Sequence, residues 1–485
     1  MGSGQVTAPV ASQSPEPYRF RGRHITVAGL GVSGVPAARA LHGLGAHVTV
    51  VNDGDDERAR SQAAELERLG ITVRLGEQAA STLPEGTELV VTAPGWKPGK
   101  PLFAAAAQAG VPVWGDVELA WRLRGPDAPP WLAVTGTNGK TTTVRMLASI
   151  LEAAGLRTAA VGNIGVSLLD AVLGDEPYDV LAVELSSYQL HWSSSVRAHS
   201  AAVLNLAPDH LDWHGSMAAY AADKGRVYEG NRIACVYNVA DKATEDLVRE
   251  ADVEEGCRAV GFTLGTPGPS QLGVVDGILV DRAFVADRHK NAQELAEVGD
   301  VDPPAPHNIA NALAAAALAR AYGVPAAAVR DGLRAFTPDA HRIAHVADVD
   351  EVAWVDDSKA TNTHAAQASL AAYESIVWIA GGLAKGATFD ELVAGSAKRL
   401  RGVVLIGADR ALIREALARH APEVPVVDLA RTDTGAMLQA VQEAKRLARP
   451  GDTVLLAPAC ASMDMFANYN RRGEAFAQAV RELGA

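Results

Sequence analysis

The chain has 485 residues, which at roughly 150 residues per domain suggests about three domains. Its 44 basic and 57 acidic side chains give a formal net charge of −13, which argues against a broad surface for nucleic acid or anionic membrane. Hydrophobic residues make up 48% of the chain, enough for several buried cores and too many for a disordered protein.

The first 20 residues are rich in Ser, Pro, Gly and Gln and lack the basic start and apolar centre of a signal peptide. We expect them to form a disordered leader. No run of about 18 apolar residues occurs, so no membrane span is expected. The three cysteines, Cys235, Cys257 and Cys460, are far apart in the sequence and form no CxxC pair. We therefore expect neither a disulfide framework nor a cysteine zinc site, which suits a cytoplasmic protein.

Short β-branched runs alternate with stretches rich in Ala, Leu and Arg along the rest of the chain, a pattern that predicts an α/β fold with parallel sheets. Strands are predicted at His24–Ala28, His47–Val51, Leu89–Val91, Leu132–Val134, Val180–Val183, Ala201–Leu204, Ser375–Ile379, Val403–Ile406 and Thr453–Leu456. Helices are predicted at Val35–Leu44, Thr141–Ala153, Asn308–Ala321 and Met437–Ala448. The polar region 264–306 is expected to form a hairpin and loop excursion.

Two turn-rich stretches mark the predicted domain boundaries. Residues 124–130 contain Gly and three Pro residues just before a strand, and residues 336–339 follow a helical pattern. The chain is therefore divided into domains 21–127, 128–337 and 338–485.

The first predicted strand runs into the sequence Gly29-Leu-Gly-Val-Ser-Gly34, which matches G-x-G-x-x-G. Bare glycine backbone lets a phosphate approach, and the following helix N-terminus offers free N–H groups. Asp53 ends the next strand, where an acid could accept hydrogen bonds from ribose hydroxyls. Alone, this pattern favours an NAD-dependent oxidoreductase, or else a tight turn that binds nothing.

A second glycine loop follows the strand before residue 136 and precedes a helix. Its backbone amides can wrap phosphate oxygens, the lysine can neutralise terminal phosphates, and a threonine hydroxyl can bind Mg²⁺. The residues concerned are Gly136, Thr137, Asn138, Gly139, Lys140, Thr141 and Thr142. Val134 stands where the pattern G-x-x-x-x-G-K-[ST] has its first glycine, so the loop is a shortened variant. A P-loop kinase or ATPase would need this loop alone, whereas an enzyme that uses ATP to activate a nucleotide-linked substrate would need both.

Polar residues after two further strands are candidate metal ligands. Glu184 ends one strand, where a carboxylate can face Mg²⁺, and His210 follows the next as a metal ligand, a substrate contact or an ordinary hydrogen-bonding group. Lys224 alone would be an ordinary solvated lysine. Asn308 and Asn311 are three residues apart and share a helical face, unless Asn308 merely caps the helix.

The segments Thr135–Thr142, Glu184–Leu190, Asn205–Asp212 and Ala222–Arg226 resemble the ATPase domain of the Mur ligases, which assemble the peptidoglycan precursor peptide. The resemblance extends over nearly the whole chain from about residue 22. It implies a Rossmann-like N-terminal domain that binds a UDP-sugar, a central P-loop-type ATPase α/β domain, and a Rossmann-like C-terminal domain that closes over the nucleotide. Folylpolyglutamate synthases share the central domain.

The resemblance also implies roles for the central residues. Glu184 and His210 would help to hold two Mg²⁺ ions, and Lys224 would be carbamylated. A bare ammonium repels Mg²⁺, whereas a lysine carbamate offers it an anionic oxygen. Asn308 and Asn311 would lie near the adenine of ATP.

The C-terminal domain narrows the resemblance to one branch of the family. The strings Asp357-Ser-Lys-Ala-Thr-Asn362 and Pro458-Ala-Cys-Ala-Ser462 resemble the members that add D-glutamate to UDP-N-acetylmuramoyl-L-alanine. Arg342 would then reach the ATP phosphates and Asp357 its ribose. The residues implied for D-glutamate are Thr361, Lys385, Ser462 and Tyr469.

Within this family the N-terminal glycine loop would hold UDP instead of NAD. Val32 and Ser33 would lie at the diphosphate, and Asp53 near the uracil or ribose. Gly95, Asn163 and His210 would contact the sugar-peptide part of the substrate.

The implied reaction is an ATP-dependent amide ligation through an acyl phosphate, by a cytoplasmic enzyme that acts as a monomer on small-molecule substrates. No nucleic acid or membrane partner is expected. Four alternatives stay open: another amino-acid-adding Mur ligase, an NAD-dependent oxidoreductase, a P-loop kinase or ATPase, and a non-catalytic UDP-sugar sensor.

Overall fold

The computed structural model describes residues 20–174, 176–338, 341–431 and 433–483. The predicted leader lies outside these residues except for Phe20. Within the described residues, tertiary contacts divide the chain into two compact units. The first unit consists of the described residues within Met1–Ala128, Ser167–Glu176 and Trp192–Val196. The second consists of the described residues within Pro129–Val166, Pro177–His191 and Arg197–Ala485.

The first unit is built on a five-stranded parallel sheet with strand order β3-β2-β1-β4-β5. Its strands are β1 (His24–Ala28), β2 (His47–Asn52), β3 (Thr72–Leu75), β4 (Leu89–Thr92) and β5 (Val113–Gly115). Its helices include α1 (Gly34–Gly43), α2 (Glu57–Glu67), α3 (Glu77–Ser81), α4 (Pro101–Gln108) and α5 (Asp116–Leu123). The strand order reverses at β1, so a crevice for a ligand is expected at the carboxyl ends of β1 and β4.

The central sheet of the second unit has nine strands in the order β14-β13-β12-β11-β10-β9-β6-β8-β7. Its parallel strands are β6 (Trp131–Thr135), β7 (Ala160–Gly162), β8 (Leu181–Glu184), β9 (Ser200–Val203), β10 (Ala234–Asn238) and β11 (Arg258–Phe262). The strands β12 (Gln271–Val275), β13 (Ile278–Asp281) and β14 (Gln293–Glu297) extend it as antiparallel hairpins. These hairpins confirm the predicted excursion between residues 264 and 306.

Eight helices follow one another along residues 140–335. They are α6 (Lys140–Ala153), α7 (Leu168–Leu173), α8 (Ser187–His191), α9 (Leu211–His214), α10 (Met217–Gly225), α11 (Lys242–Glu250), α12 (Pro306–Tyr322) and α13 (Ala326–Ala335). Of these, α7 belongs to the first unit. Single turns of 3₁₀-helix occur at Arg226–Tyr228 and Val298–Asp300.

Helix α12 is the buried helix of the central sheet. Residues 312–319, mostly alanine, are fully buried on every side. Their small side chains let α12 lie between α6 and the strands β9–β12. No helix in the described part of the chain is long and apolar enough to cross a membrane.

The third sheet has six strands in the order β15-β16-β20-β17-β18-β19, all parallel except β15. Its strands are β15 (Ala344–Val349), β16 (Val352–Asp356), β17 (Ile376–Gly381), β18 (Leu400–Ile406), β19 (Val426–Asp428) and β20 (Thr453–Leu456). Its helices are α14 (Thr363–Ala371), α15 (Asp390–Ser396), α16 (Arg410–His420), α17 (Ala436–Leu447) and α18 (Tyr469–Leu483), with a 3₁₀ turn at Ala397–Arg399. The predicted α/β class with three sheet domains is confirmed.

Two of the three cysteines are neighbours in space although 22 residues separate them. Cys235 lies in β10 and Cys257 just before β11, the strand that pairs with β10 in parallel. Their Sγ atoms are 3.9 Å apart, and both residues are free thiols, as is Cys460. Distance along the chain therefore did not indicate distance in the fold.

Gly332 allows a close approach between α13 and α6. A methyl group at position 332 would lie 2.4 Å from Ile150 Cα, which is backbone and cannot move aside cheaply. We expect Gly332→Ala to lower the free energy of unfolding by about 1–3 kcal/mol. The control is Gly395→Ala in α15, where the nearest atom to the new methyl group is a side-chain nitrogen at 3.7 Å. Thermal unfolding checks both, and equal unfolding midpoints for the two variants would contradict the prediction.

Candidate active site

A cavity of about 860 Å³ lies in the second unit. One wall is formed at the carboxyl ends of β6, β8 and β9, and the other by loops of the third sheet after residue 341. Carboxyl ends of parallel strands are the usual place for ligand sites in such sheets. The site residues predicted in the second unit can therefore be located relative to this cavity.

The shortened glycine loop connects β6 to α6 at one end of the cavity. Gly139 has φ +83°, and a Cβ there would lie 2.3 Å from Asn311 Oδ1, so this position requires glycine. Gly136 has φ +151° and also packs closely, with 3.0 Å between its would-be Cβ and Leu204 Cβ. Residues 137–141 line the cavity. The strand, loop and helix thus have the arrangement expected of a phosphate cradle, and phosphate binding there stays a prediction.

The loop lysine is folded back onto its own backbone. Lys140 Nζ donates to Gly136 O at 2.9 Å and to Thr137 O at 3.0 Å. Burial lowers the pKa of Lys140, against the attraction of Glu184 and Asp209, which raises it.

Two predicted loop residues do not line the cavity. Gly136 supplies the carbonyl that holds Lys140. Thr142 is buried in α6, and its hydroxyl oxygen has no hydrogen-bond partner among the described residues.

Glu184 is buried at the end of β8, with 2% of its surface exposed. Thr141 Oγ1 donates to Glu184 Oε2 at 2.8 Å, and Asn163 Nδ2 donates to Glu184 Oε1 at 2.9 Å. A hydroxyl and a carboxylate oxygen side by side are ligands that Mg²⁺ prefers. In the described residues no three His, Cys, Asp or Glu side chains are arranged to hold a metal ion.

His210 and Lys224, both predicted from the sequence, line the same wall. His210 adopts φ +54°, and its Nε2 lies 3.5 Å from Asp209 Oδ2. Burial lowers the pKa of His210 to about 4, so its imidazole is neutral at pH 7. Lys224 Nζ donates to Gly136 O at 2.8 Å. Burial first, and then the charge of Lys140, hold the pKa of Lys224 well below its usual range.

We call Glu184, His210 and Lys224 the candidate ligands. They stand on three separate segments, at the end of β8, at the start of α9 and near the end of α10. Tyr220, which the sequence did not single out, packs its ring 4.7 Å from Lys224 Nζ and bonds Thr137 Oγ1 through its hydroxyl at 3.0 Å.

The opposite wall carries buried charges from the third sheet. Burial lowers the pKa of Arg342, and burial raises the pKa of Asp357 to about 6 in spite of a hydrogen bond from Ser369 Oγ. Burial and the charge of Arg342 lower the pKa of Lys359 to about 7. Thr361, Lys385 and Tyr469 also line this wall.

Thr361 lies in the loop after β16, Lys385 in the loop after β17, and Tyr469 at the start of α18. Ser462, the fourth residue predicted for D-glutamate, is buried. Its carbonyl oxygen accepts from Phe466 N at 2.8 Å, and it does not line the cavity.

A direct contact joins the phosphate loop to the third sheet. Asn362 Nδ2 donates to Asn138 Oδ1 at 3.0 Å, and Asn138 Nδ2 lies 3.0 Å from His364 Nδ1. Asn138 N donates to Asn205 Oδ1 at 2.9 Å. Sequence reasoning missed His364, since a histidine in the first turn of a helix carries no spacing signal.

The two asparagines of α12 share one face, as predicted. Asn311 Nδ2 lies 3.4 Å from Asn308 Oδ1, and Asn311 lines the cavity whereas Asn308 does not. Asn308 is not the helix cap, because Ala305 holds that position and Asn308 lies within the first turn.

The N-terminal glycine loop is part of the first unit. A Cβ on Gly34 would lie 1.9 Å from Gly29 O, so only glycine fits there. Asn52 Oδ1 accepts from Leu30 N at 3.0 Å and fixes the loop. Ser33 Oγ donates to Asp116 Oδ2 at 2.8 Å.

Four residues predicted for the UDP-sugar follow strand ends in this unit. Val32 and Ser33 follow β1, Asp53 follows β2 and Gly95 follows β4. Val32 is 84% exposed, and Asp53 forms an ion pair with Lys100. All four thus lie at one edge of the sheet, near its switch point.

Three family profiles match the chain in order. They are the MurD-like N-terminal domain of Mur ligases over residues 23–115, the Mur ligase middle domain over 134–319, and the Mur ligase glutamate ligase domain over 341–460. The chain belongs to the Mur ligase family. Membership removes the oxidoreductase interpretation of the first glycine loop.

Curated relatives match over nearly the full length. A UDP-N-acetylmuramoylalanine–D-glutamate ligase of Streptomyces coelicolor is 87% identical over 472 residues, which are 97% of this chain and 100% of the relative. One from Thermobifida fusca is 62% identical over 466 residues, 96% of this chain and 99% of the relative.

Solved structures share the fold at low identity. The UDP-N-acetylmuramate-alanine ligase of Thermotoga maritima has a TM-score of 0.55 and 18% identity, covering 95% of this chain and 99% of that one. A pseudomurein peptide ligase of Methanothermus fervidus has a TM-score of 0.57 and 17% identity, covering 95% and 100%.

The buried amine of Lys359 offers a test of the cavity's electrostatics. Its pKa of about 7 means that the amine loses its positive charge as the pH rises through neutrality. We expect competitive acetylation, followed by mass spectrometry across the pH range, to show a midpoint near 7. Arg342→Met should raise that midpoint, because it removes a neighbouring positive charge. A midpoint in the ordinary lysine range of about 10.4 in the unaltered protein would contradict the prediction.

Proposed function

We propose that this Mur ligase joins D-glutamate to the L-alanyl carboxylate of UDP-N-acetylmuramoyl-L-alanine, consuming ATP. The observation that carries the proposal is the cavity in which the phosphate loop and Glu184 face Lys359, Thr361 and Lys385 of the third sheet. One wall suits a nucleoside triphosphate, and the other suits an amino acid with two carboxylates. The names of the relatives support the same substrates.

The chemistry explains why both walls are needed. A free carboxylate is a poor electrophile because it would have to expel oxide. The L-alanyl carboxylate attacks the γ-phosphorus of ATP, the bond to ADP breaks, and an acyl phosphate forms. The amine of D-glutamate then attacks the acyl carbon, phosphate leaves with the electron pair of the broken C–O bond, and the nitrogen releases one proton to solvent. Lys140 and Arg342 offset the repulsion between the anionic carboxylate and the anionic phosphate.

Mg²⁺ is the cofactor that the family implies, and the residues present fit it. Thr141 and Glu184 place a hydroxyl and a carboxylate oxygen 2.8 Å apart, and His210 adds a neutral nitrogen. Bound Mg²⁺ supplies positive charge to the phosphate oxygens. We propose two ions, with Lys224 contributing as a carbamate.

The surroundings of Lys224 favour carbamylation. Burial and then the charge of Lys140 lower the pKa of Lys224, which favours the neutral amine, and a neutral amine has the lone pair that attacks CO₂. A bond forms from Nζ to carbon, one proton leaves, and an anionic carbamate results. The product replaces a repelled cation with an oxygen ligand beside Glu184.

The other site assignments extend the proposal to each substrate. For ATP, Gly136 to Thr142 cradle the phosphates, Asn308 and Asn311 lie toward the adenine, Arg342 reaches phosphate and Asp357 reaches ribose. Thr361, Lys385 and Tyr469, which line the cavity, hold D-glutamate, and Ser462, which does not line it, is given no contact. In the first unit, Val32, Ser33, Asp53 and Gly95 are assigned to the UDP-sugar. The assignment of Asn163 and His210 to that substrate stays a prediction from the sequence. These assignments assume the division into domains 21–127, 128–337 and 338–485 that the sequence predicts.

We further propose that the enzyme acts in the cytoplasm as a monomer. Three free thiols suit a reducing compartment, and all the assigned residues come from one chain.

Phosphate release tests the reaction directly. With ATP, Mg²⁺ and UDP-N-acetylmuramoyl-L-alanine, we expect release to require D-glutamate and to fail with L-glutamate. Release without any amino acid would indicate an ATPase or kinase. Binding of the UDP-sugar with no release under any condition would indicate a sensor.

Two lysine variants separate the phosphate role from the carbamate role. Lys140→Ala and Lys224→Ala should each lower the rate by at least about 100-fold, since the first removes a cation at the phosphates and the second removes the carbamate oxygen proposed for Mg²⁺. Short carboxylic acids should partly restore Lys224→Ala only, because they replace the carbamate oxygen. Lys290→Ala, a lysine whose side chain is 82% exposed, is the matched control and should keep full activity. Equal rescue of both variants, or of neither, would contradict the carbamate.

A further inference from the structure

A chain of partly buried hydrogen bonds connects residues that lie near the candidate ligands in the sequence, and Ser187, at one end of it, lines the cavity. Asp223 Oδ2 is 2.9 Å from both His191 Nδ1 and His214 Nδ1, and His214 Nε2 is 3.0 Å from Ser187 Oγ. A carboxylate only accepts, so both histidines donate from Nδ1, and Nε2 of a neutral His214 accepts from the serine hydroxyl. We call these four residues the histidine cluster. The reaction described above uses none of them.

The cluster joins the three segments that carry the candidate ligands. Ser187 opens α8, three residues after the candidate glutamate. His214 ends α9, four residues after the candidate histidine. Asp223 lies in α10, next to the candidate lysine. One connected set of hydrogen bonds therefore joins α8 to the consecutive helices α9 and α10, with 27 positions between Ser187 and His214.

These segments need such a connection. Helix α8 has five residues and α9 has four, and helices of this length do not hold their shape in isolation. The side chains of His214 and Asp223 are 0% and 8% exposed, so water does not compete for their hydrogen bonds. A buried network in which every member has a partner is rigid and selects one arrangement.

Aromatic packing fixes the central histidine further. The His214 ring stacks on Tyr188 at 5.5 Å between centroids and meets the edge of Tyr220 at 5.2 Å. The ring centroids of Trp213 and His214 are 4.5 Å apart. Arg226 Nε adds a charge 3.4 Å from Asp223 Oδ1. The imidazole is thereby held in a single orientation between serine and carboxylate.

We propose that the histidine cluster is a positioning device that sets the spacing of the three candidate ligands for the divalent cation. Ser187, His191, His214 and Asp223 are positioning residues, and they act through Glu184, His210 and Lys224. The inference rests on the metal site of the proposed function. Partners behind metal ligands typically change metal affinity by about 10–100-fold when they are removed.

The test measures cation affinity separately from catalysis. Mn²⁺ binding to the full-length protein with ADP, followed by electron paramagnetic resonance, should weaken about tenfold in Asp223→Asn. The Mg²⁺ concentration for half-maximal rate should rise by a similar factor, while KM for ATP at saturating Mg²⁺ stays unchanged. His199→Asn is the matched control, because His199 adjoins the amino end of β9, at the opposite edge of the sheet.

A second pair of variants addresses the serine end of the cluster. Ser187→Ala and His214→Asn both remove the bond between Oγ and Nε2, so each should weaken Mn²⁺ binding, and the double variant should add little. Ser187→Ala removes one hydroxyl and keeps the fold, so it decides the matter if Asp223→Asn does not fold.

Unchanged Mn²⁺ affinity in a folded Asp223→Asn or in Ser187→Ala would overturn the inference. An equal loss in His199→Asn would also overturn it, since the effect would then be general. The unaltered protein could show no ligase activity while the variants lose Mn²⁺ affinity as expected. That result would reject the proposed function and still support the positioning role of the histidine cluster.

Discussion

Two lysine amines share one carbonyl oxygen, and the active-site region is organised around that contact. Lys140 and Lys224 both donate to Gly136 O, at 2.9 and 2.8 Å, in a region where burial penalises positive charge. Arg342 and Lys359 add further cationic groups from the opposite wall. A bound polyanion would offset the repulsion among these cationic groups, and ATP, the proposed substrate, carries three phosphates. The same unfavourable energy lowers the pKa of Lys224.

The glycine loop makes this contact geometrically possible. Gly136 and Gly139 adopt positive φ values, and the space beside Gly139 is taken by Asn311. The loop therefore turns its carbonyl at residue 136 inward to the lysines while its other residues face the cavity. On the far side, Asn138 meets Asn362 and His364, so the same few residues touch both sheets of the second unit.

The sequence predicted those parts of the molecule that depend on local pattern. Strands such as β1 and β20 appear with the predicted bounds, because buried parallel strands are short, continuous apolar runs. The phosphate loop was also predicted from a local pattern, because its glycines and its Lys-Thr pair lie close together in the chain.

Features that depend on tertiary contacts were not predicted. The histidine cluster, the contact of Asn138 with His364 and the proximity of Cys235 to Cys257 each join residues more than eight positions apart. Asp223 carries no spacing signal at all. The assignment of Glu184, His210 and Lys224 needed resemblance to a family, because their convergence on one wall is a property of the folded chain and not of any motif.

The alanine-lined helix α12 has a consequence for how this protein can change over time. An amphipathic helix tolerates substitutions on its solvent-exposed face, but α12 has no exposed face between residues 312 and 319. Any larger residue there pushes either the central strands or α6, and α6 begins at Lys140. Substitutions in residues 312–319 of α12 therefore displace α6 and with it Lys140. We expect this alanine-rich stretch to tolerate few substitutions although it has no reactive side chains.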